Sequence, residues 1–397
     1  MRDSVYLDNA ATTQLDPAVL EEMLPFLKET FANPSSMYQS GRTAREAIDK
    51  ARTRVGALLK ANPEELIFTG GATESNNMAL QGVWQTWADG KGHIVTSSIE
   101  HPSVLETCRH LEKRGAQVTY LPCPEDGIIS PMDLIDALRP DTRLVSIMAG
   151  NNVTGTLQPI AELADIAHRH GALFHTDAVQ AVGKIPIDVN LQQIDLLSLS
   201  AHKFYGPKGI GALYVRKGVK IAALNHGGGQ ERGVRSGTEN VAAIVGLGRA
   251  AEIAAAVMAD ESVYLVGLRE RIINALAEAI PDTYVIGHRF RRLPGHVCLG
   301  FAGKENEAIR LLLALDQAGI AVSSGSACSA SVRAEPSHVL QAMGFDQMRA
   351  RGPLRISLGR FNTDADCQRF LSVLPEIVST LNPITSRGFS PATAHCR

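Results

Sequence analysis

The residues most able to do chemistry are a lysine at 203, an aspartate at 177, a glycine pair at 70 and 71, a histidine at 101, an arginine at 355 and a cysteine at 328. Lys203 stands in SLSAHKFYGPKG (198–209), just past an apolar run. A lysine drawn out of water loses charge stabilisation and its pKa falls, which makes its amine a candidate Schiff-base nucleophile. Asp177, in HTDAVQAVGK, offers a carboxylate that can pair with a ring nitrogen. In LIFTGGATESNNMAL (66–80), Gly70 and Gly71 lead through Ala72 and Thr73 into a helical pattern. Glycines let backbone approach a ligand, and a helix N-terminus presents N–H groups to a phosphate. The stretch is neither a Walker A loop nor a dinucleotide fingerprint. His101 is held out of the helical region by Pro102 and can stack on a planar group or relay protons. Arg355, in PLRISLGR, can hold a carboxylate bidentately. Cys328, in SSGSACSA (323–330), is either a small buried filler or a thiol presented to react. Taken singly, the others also have plainer explanations: a surface lysine, a helix-capping aspartate, a glycine turn, a histidine at a turn, a surface strand arginine.

The elements that must position these residues alternate. GHIVTSS (92–98), QVTYL (117–121), RLVSIMAG (143–150), ALFHTDA (172–178) and DLLSLSA (195–201) read as strands, and VLETCRHLEKRG (104–115) and PIAELADIAHRHG (159–171) as helices. Such alternation implies an α/β fold with a mainly parallel sheet covered on both faces. Asp177 ends one strand, Ser200 and His202 end another, and Asn151 and Asn152 follow a third. Ligands of open α/β sheets bind beyond those carboxyl ends. A Schiff-base lysine, an acid for a pyridinium nitrogen, a phosphate cradle, a stacking ring and a carboxylate clamp are together explained by one cofactor, pyridoxal 5′-phosphate. An alanine-rich helical stretch (239–280) follows, then HVCLGF, ENEAIRLLLALDQAG and PLRISLG. This predicts a large cofactor-binding domain over 15–260, and a smaller α+β domain over 261–380 joined by residues 1–14. Residues 381–397 read as a mobile, polar C-terminal tail.

The chain has 397 residues, 45% hydrophobic and 20% charged, with a net charge of −2. That is an ordinary globular profile, with no global field to favour nucleic acid or an anionic membrane. No apolar run of spanning length and no signal-peptide core is read, so a cytoplasmic protein is expected. The six cysteines lie far apart, without a zinc-site spacing, and no intrinsic metal site is expected.

YLDNAATT (6–13), NPSS (33–36), GATESNN (71–77), EHPSVLETC (100–108), HTDAVQAVGK (175–184), SAHKFYGPKGIGALY (201–214), HGGGQERGVRSGTEN (226–240), SSGSACSA (323–330), EPSHVL (335–340) and RISLGR (355–360) together resemble the cysteine desulfurases. The resemblance covers nearly the whole chain. It points to the group with a long active-cysteine loop, linked to iron–sulfur assembly, nitrogenase maturation and transfer-RNA thiolation.

The resemblance implies the type I pyridoxal-phosphate fold, a homodimer, and conversion of L-cysteine to L-alanine with a persulfide left on Cys328. Lys203 would carry the cofactor, Asp177 would pair with its ring nitrogen, and His101 would stack on the ring and serve catalysis. Gln180 and Asn152 would contact the ring oxygen or the substrate. Ala72, Thr73, Ser200 and His202 would hold the phosphate, and Thr238 would reach the phosphate of a neighbouring subunit. Arg355 would bind the substrate carboxylate. The persulfide on Cys328 could also contact an iron–sulfur centre in an acceptor protein, such as a cluster scaffold or a thiolation protein. The sequence departs from the family pattern at Val153, where glutamate is usual, at Ala201, where glycine is usual, and in one apparent extra residue between Cys328 and Pro336. Two competing readings remain: another pyridoxal-phosphate reaction on the same scaffold, and a non-enzymatic docking protein.

Overall fold

A computed structural model describes residues 4–87, 90, 92–324 and 336–381. Cys328, the surrounding loop and the segment from 382 onward lie outside the described residues, as do the expectations made for them. The chain opens with strand β1 (Val5–Tyr6) and helices α1 (Pro17–Lys28) and α2 (Gln39–Leu59). Asp16 caps α1 by accepting from the Ala18 N–H at 2.9 Å, and Pro17 takes the first helical position, where a missing N–H costs nothing. The alternating region follows: β2 (Leu66–Thr69), α3 (Ala72–Trp84), β3 (His93–Ser97), α4 (Pro102–Lys113), β4 (Gln117–Leu121), α5 (Pro131–Ala137), β5 (Thr142–Ser146), α6 (Ile160–Arg169), β6 (Leu173–Asp177), β7 (Leu196–Ser200) and β8 (Gly211–Val215).

The seven strands of this region form one sheet in the order β2-β8-β7-β6-β5-β3-β4. Every pair from β4 through β7 is parallel, as the alternation predicts. β8 runs against both its neighbours, β7 and β2. The reason is length: residues 201–210 are too few for a crossover helix, so the chain returns antiparallel. Successive strand residues go to opposite faces. Phe68, Leu197 and Phe174 join a core with α1, α2 and α6, whereas Ile67, Leu196 and Leu144 join one with α3 and α4.

Beyond β8 the 39-residue helix α7 (Val241–Ala279) leads to β9 (Thr283–Val285), β10 (His296–Phe301), α8 (Ala308–Gln317), β11 (Ile320–Ala321), β12 (Ser323–Ser324), α9 (His338–Ala342), β13 (Leu354–Ser357) and α10 (Asp364–Thr380). An antiparallel sheet β12-β13-β10-β9 is covered by Leu268 and Ile272 of α7 and by Phe370 and Leu374 of α10. β1 pairs in parallel with β11, and Val5 and Leu7 enter this second core. By length and composition α7 could cross a membrane. Here Ile244, Leu247 and Ala251 are buried in the first core, and Leu265 and Leu276 in the second. Cys108, Cys123, Cys298 and Cys367 are buried free thiols. Among the described residues no group of three or more His, Cys, Asp or Glu side chains could hold a metal ion.

Candidate active site

A cavity of roughly 820 Å³ lies beyond the carboxyl ends of β5, β6 and β7, against the start of α3. Two glycines make the approach to α3 possible. Gly71 sits at φ +148 as N-cap and leaves the first-turn N–H groups without a side-chain cap. A Cβ on Gly211 would lie 2.9 Å from the Gly71 Cα, so β8 packs directly under that turn. Ala72 and Thr73 line the cavity at this end, and Ser200, paired with Gly211, and His202 line it as well. His202 shares a 3.1 Å hydrogen bond with the Thr12 hydroxyl, and burial, reinforced by Lys203, lowers its pKa to about 4.

Asp177 ends β6 and is buried. Its Oδ1 accepts from the Val179 N–H at 3.0 Å, so the turn-capping explanation holds for one oxygen. Its Oδ2 accepts from Asn76 Nδ2 at 2.8 Å. Asn76 Nδ2 also donates to the Ser103 hydroxyl at 2.8 Å, and that hydroxyl lies 2.8 Å from His101 Nδ1. His101 caps α4, and its Nδ1 accepts from the Ser103 backbone N–H at 3.1 Å. A backbone N–H can only donate, so the proton of the neutral ring sits on Nε2. Burial lowers the His101 pKa, Asp177 opposes this, and Lys203 and His338 add to it.

Lys203 follows β7 on a single short turn (Ala201–Lys203) and lines the cavity. Its Nζ donates to the carbonyls of Ala10 and Ala11, each at 2.7 Å. Gln180 is fixed by two bonds: Nε2 donates to the Ala10 carbonyl at 2.9 Å, and Oε1 accepts from Lys184 Nζ at 3.0 Å. That leaves one Nε2 hydrogen to present. Arg355, on β13, is buried; Nη1 donates to the Asn152 carbonyl at 3.0 Å and Nη2 to Asp8 Oδ1 at 2.8 Å. Among the described residues Arg355 Nε and Asn152 Oδ1 have no hydrogen-bond partner.

The strand-end residues singled out from sequence therefore share one cavity, except Asn151, which is buried and turned to the Ile99 carbonyl and the Val153 and Thr154 N–H groups. Thr238 does not line it; it is exposed on the glycine-rich segment. Val153 is buried, its carbonyl accepting from His296 Nε2 at 2.9 Å, and Ala201 is buried against Gly206. Sequence reasoning assigned nothing to Asn76, although it stands four residues after Ala72 and so on the same helical face. It also gave no role to Asp8, or to the Ala10 and Ala11 carbonyls, in YLDNAATT.

The Aminotransferase class-V family matches residues 5–370. A cysteine desulfurase IscS of Methanosarcina thermophila is 50% identical over 98% of this chain and 94% of its own. A cysteine desulfurase of Gluconacetobacter diazotrophicus is 47% identical over 99% of this chain and all of its own. Among solved structures, a NifS-like protein superposes with a TM-score of 0.89 at 41% identity, covering 95% of this chain and 100% of the other. A structure described as SspA in complex with cysteine gives 0.80 at 41% identity, over 91% and 100%. With its family matched across nearly its whole length and relatives at half identity, the chain belongs to the class-V aminotransferases.

Proposed function

We propose that the protein is a pyridoxal-phosphate-dependent cysteine desulfurase that converts L-cysteine to L-alanine and gathers the released sulfur as a persulfide on Cys328. The observation that carries this is the convergence of the Lys203 amine, the Asp177 carboxylate and the Arg355 guanidinium on one cavity at the strand ends. The residues present fit the cofactor. The glycine-backed start of α3 suits a phosphate, and the buried Asp177 carboxylate suits a protonated ring nitrogen. When bound, the cofactor supplies an electron sink for the substrate α-carbon.

The chain's own residues do the rest. Arg355 takes the substrate carboxylate, and Asn152 and Gln180 offer hydrogen bonds beside it. The Lys203 amine anchors the cofactor and moves the α-proton. His101, neutral with its proton on Nε2, would cover the cofactor ring and would have that Nε2 proton to donate. The Cys328 thiolate attacks the substrate sulfur; an S–S bond forms as the C–S bond breaks, and protonation of the carbon gives L-alanine. Names of relatives support the reading: the curated ones are cysteine desulfurases, and one solved neighbour is described with cysteine. The exposure of Thr238 away from its own cavity supports a homodimer in which it serves the other subunit. The IscS names support delivery to an iron–sulfur scaffold or thiolation protein.

The test is direct. Purified protein should be yellow and release sulfide from L-cysteine in the presence of a thiol. Cys328→Ala should keep the colour and lose turnover. Unchanged sulfide release by that variant would refute the nucleophile and favour a cysteine-independent lyase.

A further inference from the structure

The YLDNAATT segment contributes more to the cavity than its backbone. Its carbonyls hold Lys203, and its one acidic side chain, Asp8, holds Arg355. The Arg355 guanidinium is pinned at two of its three nitrogens: Nη2 by Asp8 Oδ1 at 2.8 Å and Nη1 by the Asn152 carbonyl at 3.0 Å. Its side chain is 3% exposed and that of Asp8 18%. A planar, forked donor reads a carboxylate by having two N–H bonds in line with two oxygens, so its orientation matters as much as its charge. Asp8 is itself anchored. Its backbone bridges to Ser357 on β13, two residues from Arg355, and its carbonyl accepts from the Tyr6 hydroxyl at 3.0 Å.

We propose that Asp8 is a positioning residue for substrate recognition: by fixing the plane of Arg355, it sets the edge that the α-carboxylate of an amino-acid substrate must meet. This rests on the reading of Arg355 as the carboxylate clamp. A purely charge-balancing role makes the opposite prediction. An aspartate beside the guanidinium cancels part of its attraction for a second carboxylate, so removing that charge would tighten carboxylate binding. Placement and charge are therefore separable by sign.

The test uses the holoenzyme and a spectral titration of its visible absorption, with L-alanine and with ethylamine, which is L-alanine without the carboxylate. Asp8→Asn keeps an oxygen where Nη2 needs it and removes the charge. L-alanine affinity is expected within about threefold of wild type. Asp8→Glu keeps the charge and moves the oxygen by a methylene; L-alanine affinity is expected to fall at least about fivefold. Ethylamine affinity should be unchanged in both. If Asp8→Glu binds L-alanine like wild type, if Asp8→Asn is the weaker of the two, or if ethylamine weakens in parallel, the assignment is wrong. Sulfide release from L-cysteine by the wild type is measured separately. Its absence would sink the desulfurase reading while leaving the discrimination between L-alanine and ethylamine to judge Asp8.

Discussion

Glu100, one residue before His101, is set further from its ordinary state than any other carboxylate beside the cavity. It is fully buried; Oε1 accepts from the Ser97 hydroxyl at 2.5 Å and the Met148 N–H at 3.0 Å, and Oε2 has no partner among the described residues. Burial, aided by the Asp177 charge and opposed by those two bonds, raises its pKa to about 8. The folded protein thus holds this proton where the unfolded chain releases it. The stability this brings is complete below about pH 4.5 and is lost as pH rises toward 8. Glu100→Gln mimics the protonated form. It should match wild type in thermal midpoint near pH 5 and exceed it progressively up to pH 8; a variant that loses ground over that range would contradict the neutral carboxyl. At this scale the sequence shows Lys203, Asp177 and His101 because strand ends collect ligand-facing groups, and Arg355 through its PLRISLGR stretch. Glu100, Asn76 and Asp8 stay hidden, because what defines them is contact with residues far off in the chain. Asn76 meets Asp177 101 positions away, and Asp8 meets Arg355 347 positions away.

Among elements, the edge of the large sheet shows how a salt bridge can stand in for a strand. β2 is an edge strand, and such an edge leaves backbone groups unpaired. Arg52 of α2 donates to the Leu66 carbonyl at 2.8 Å, and Glu231 Oε2 accepts from the Phe68 N–H at 3.0 Å. The two side chains join each other by bonds of 2.6 and 2.8 Å, 10% and 3% exposed. This pair ties the glycine-rich segment that carries Thr238 to the sheet, through Glu231 and Arg232 at φ +45 and +59. Removing one partner of a buried pair leaves an uncompensated charge, which costs about 3–5 kcal/mol. Arg52→Ala is therefore expected to lower the thermal midpoint strongly, and Glu231→Gln, which keeps an acceptor, less so. Near-wild-type stability for Arg52→Ala would mean that the edge is held by something else. The five strands and the helices α4 and α6 between 92 and 201 follow the alternation read from sequence; the seven-residue α5 is not among those read. β1, β11 and β12 do not, because a two-residue strand is too short to show a period.

Over the whole molecule, the long helix α7 and the ion pairs of Arg360 are among the features that join the two cores. α7 runs through both, and Arg360 bonds Asp16 at 3.0 Å and Glu261 at 2.8 Å across the seam. Loss of either core should therefore be felt by the other, and both contain histidines kept neutral by burial. In the large sheet burial lowers His93 to about 4 and His175 to about 3, and His202 beyond β7 is at about 4. His296 on β10, in the second sheet, is held well below its usual value. For a base with a depressed folded pKa, the unfolded chain binds the extra proton. Its contribution is complete above about pH 6.5 and is lost as pH falls toward the folded value. Glu100 works in the opposite sense above pH 4.5, but as one group against five, His101 included. Thermal stability should thus begin to fall below pH 6.5, before the ordinary carboxylates titrate, by up to about 1.4 kcal/mol per pH unit for each histidine. His175 bridges Ser146 and Ser198 at 2.8 and 3.1 Å, so His175→Asn replaces it with a side chain that does not titrate. That variant should lose less stability between pH 6.5 and 5 than wild type does. A wild-type midpoint that stays flat across this interval would show that the buried histidines do not set the acid limit of the fold.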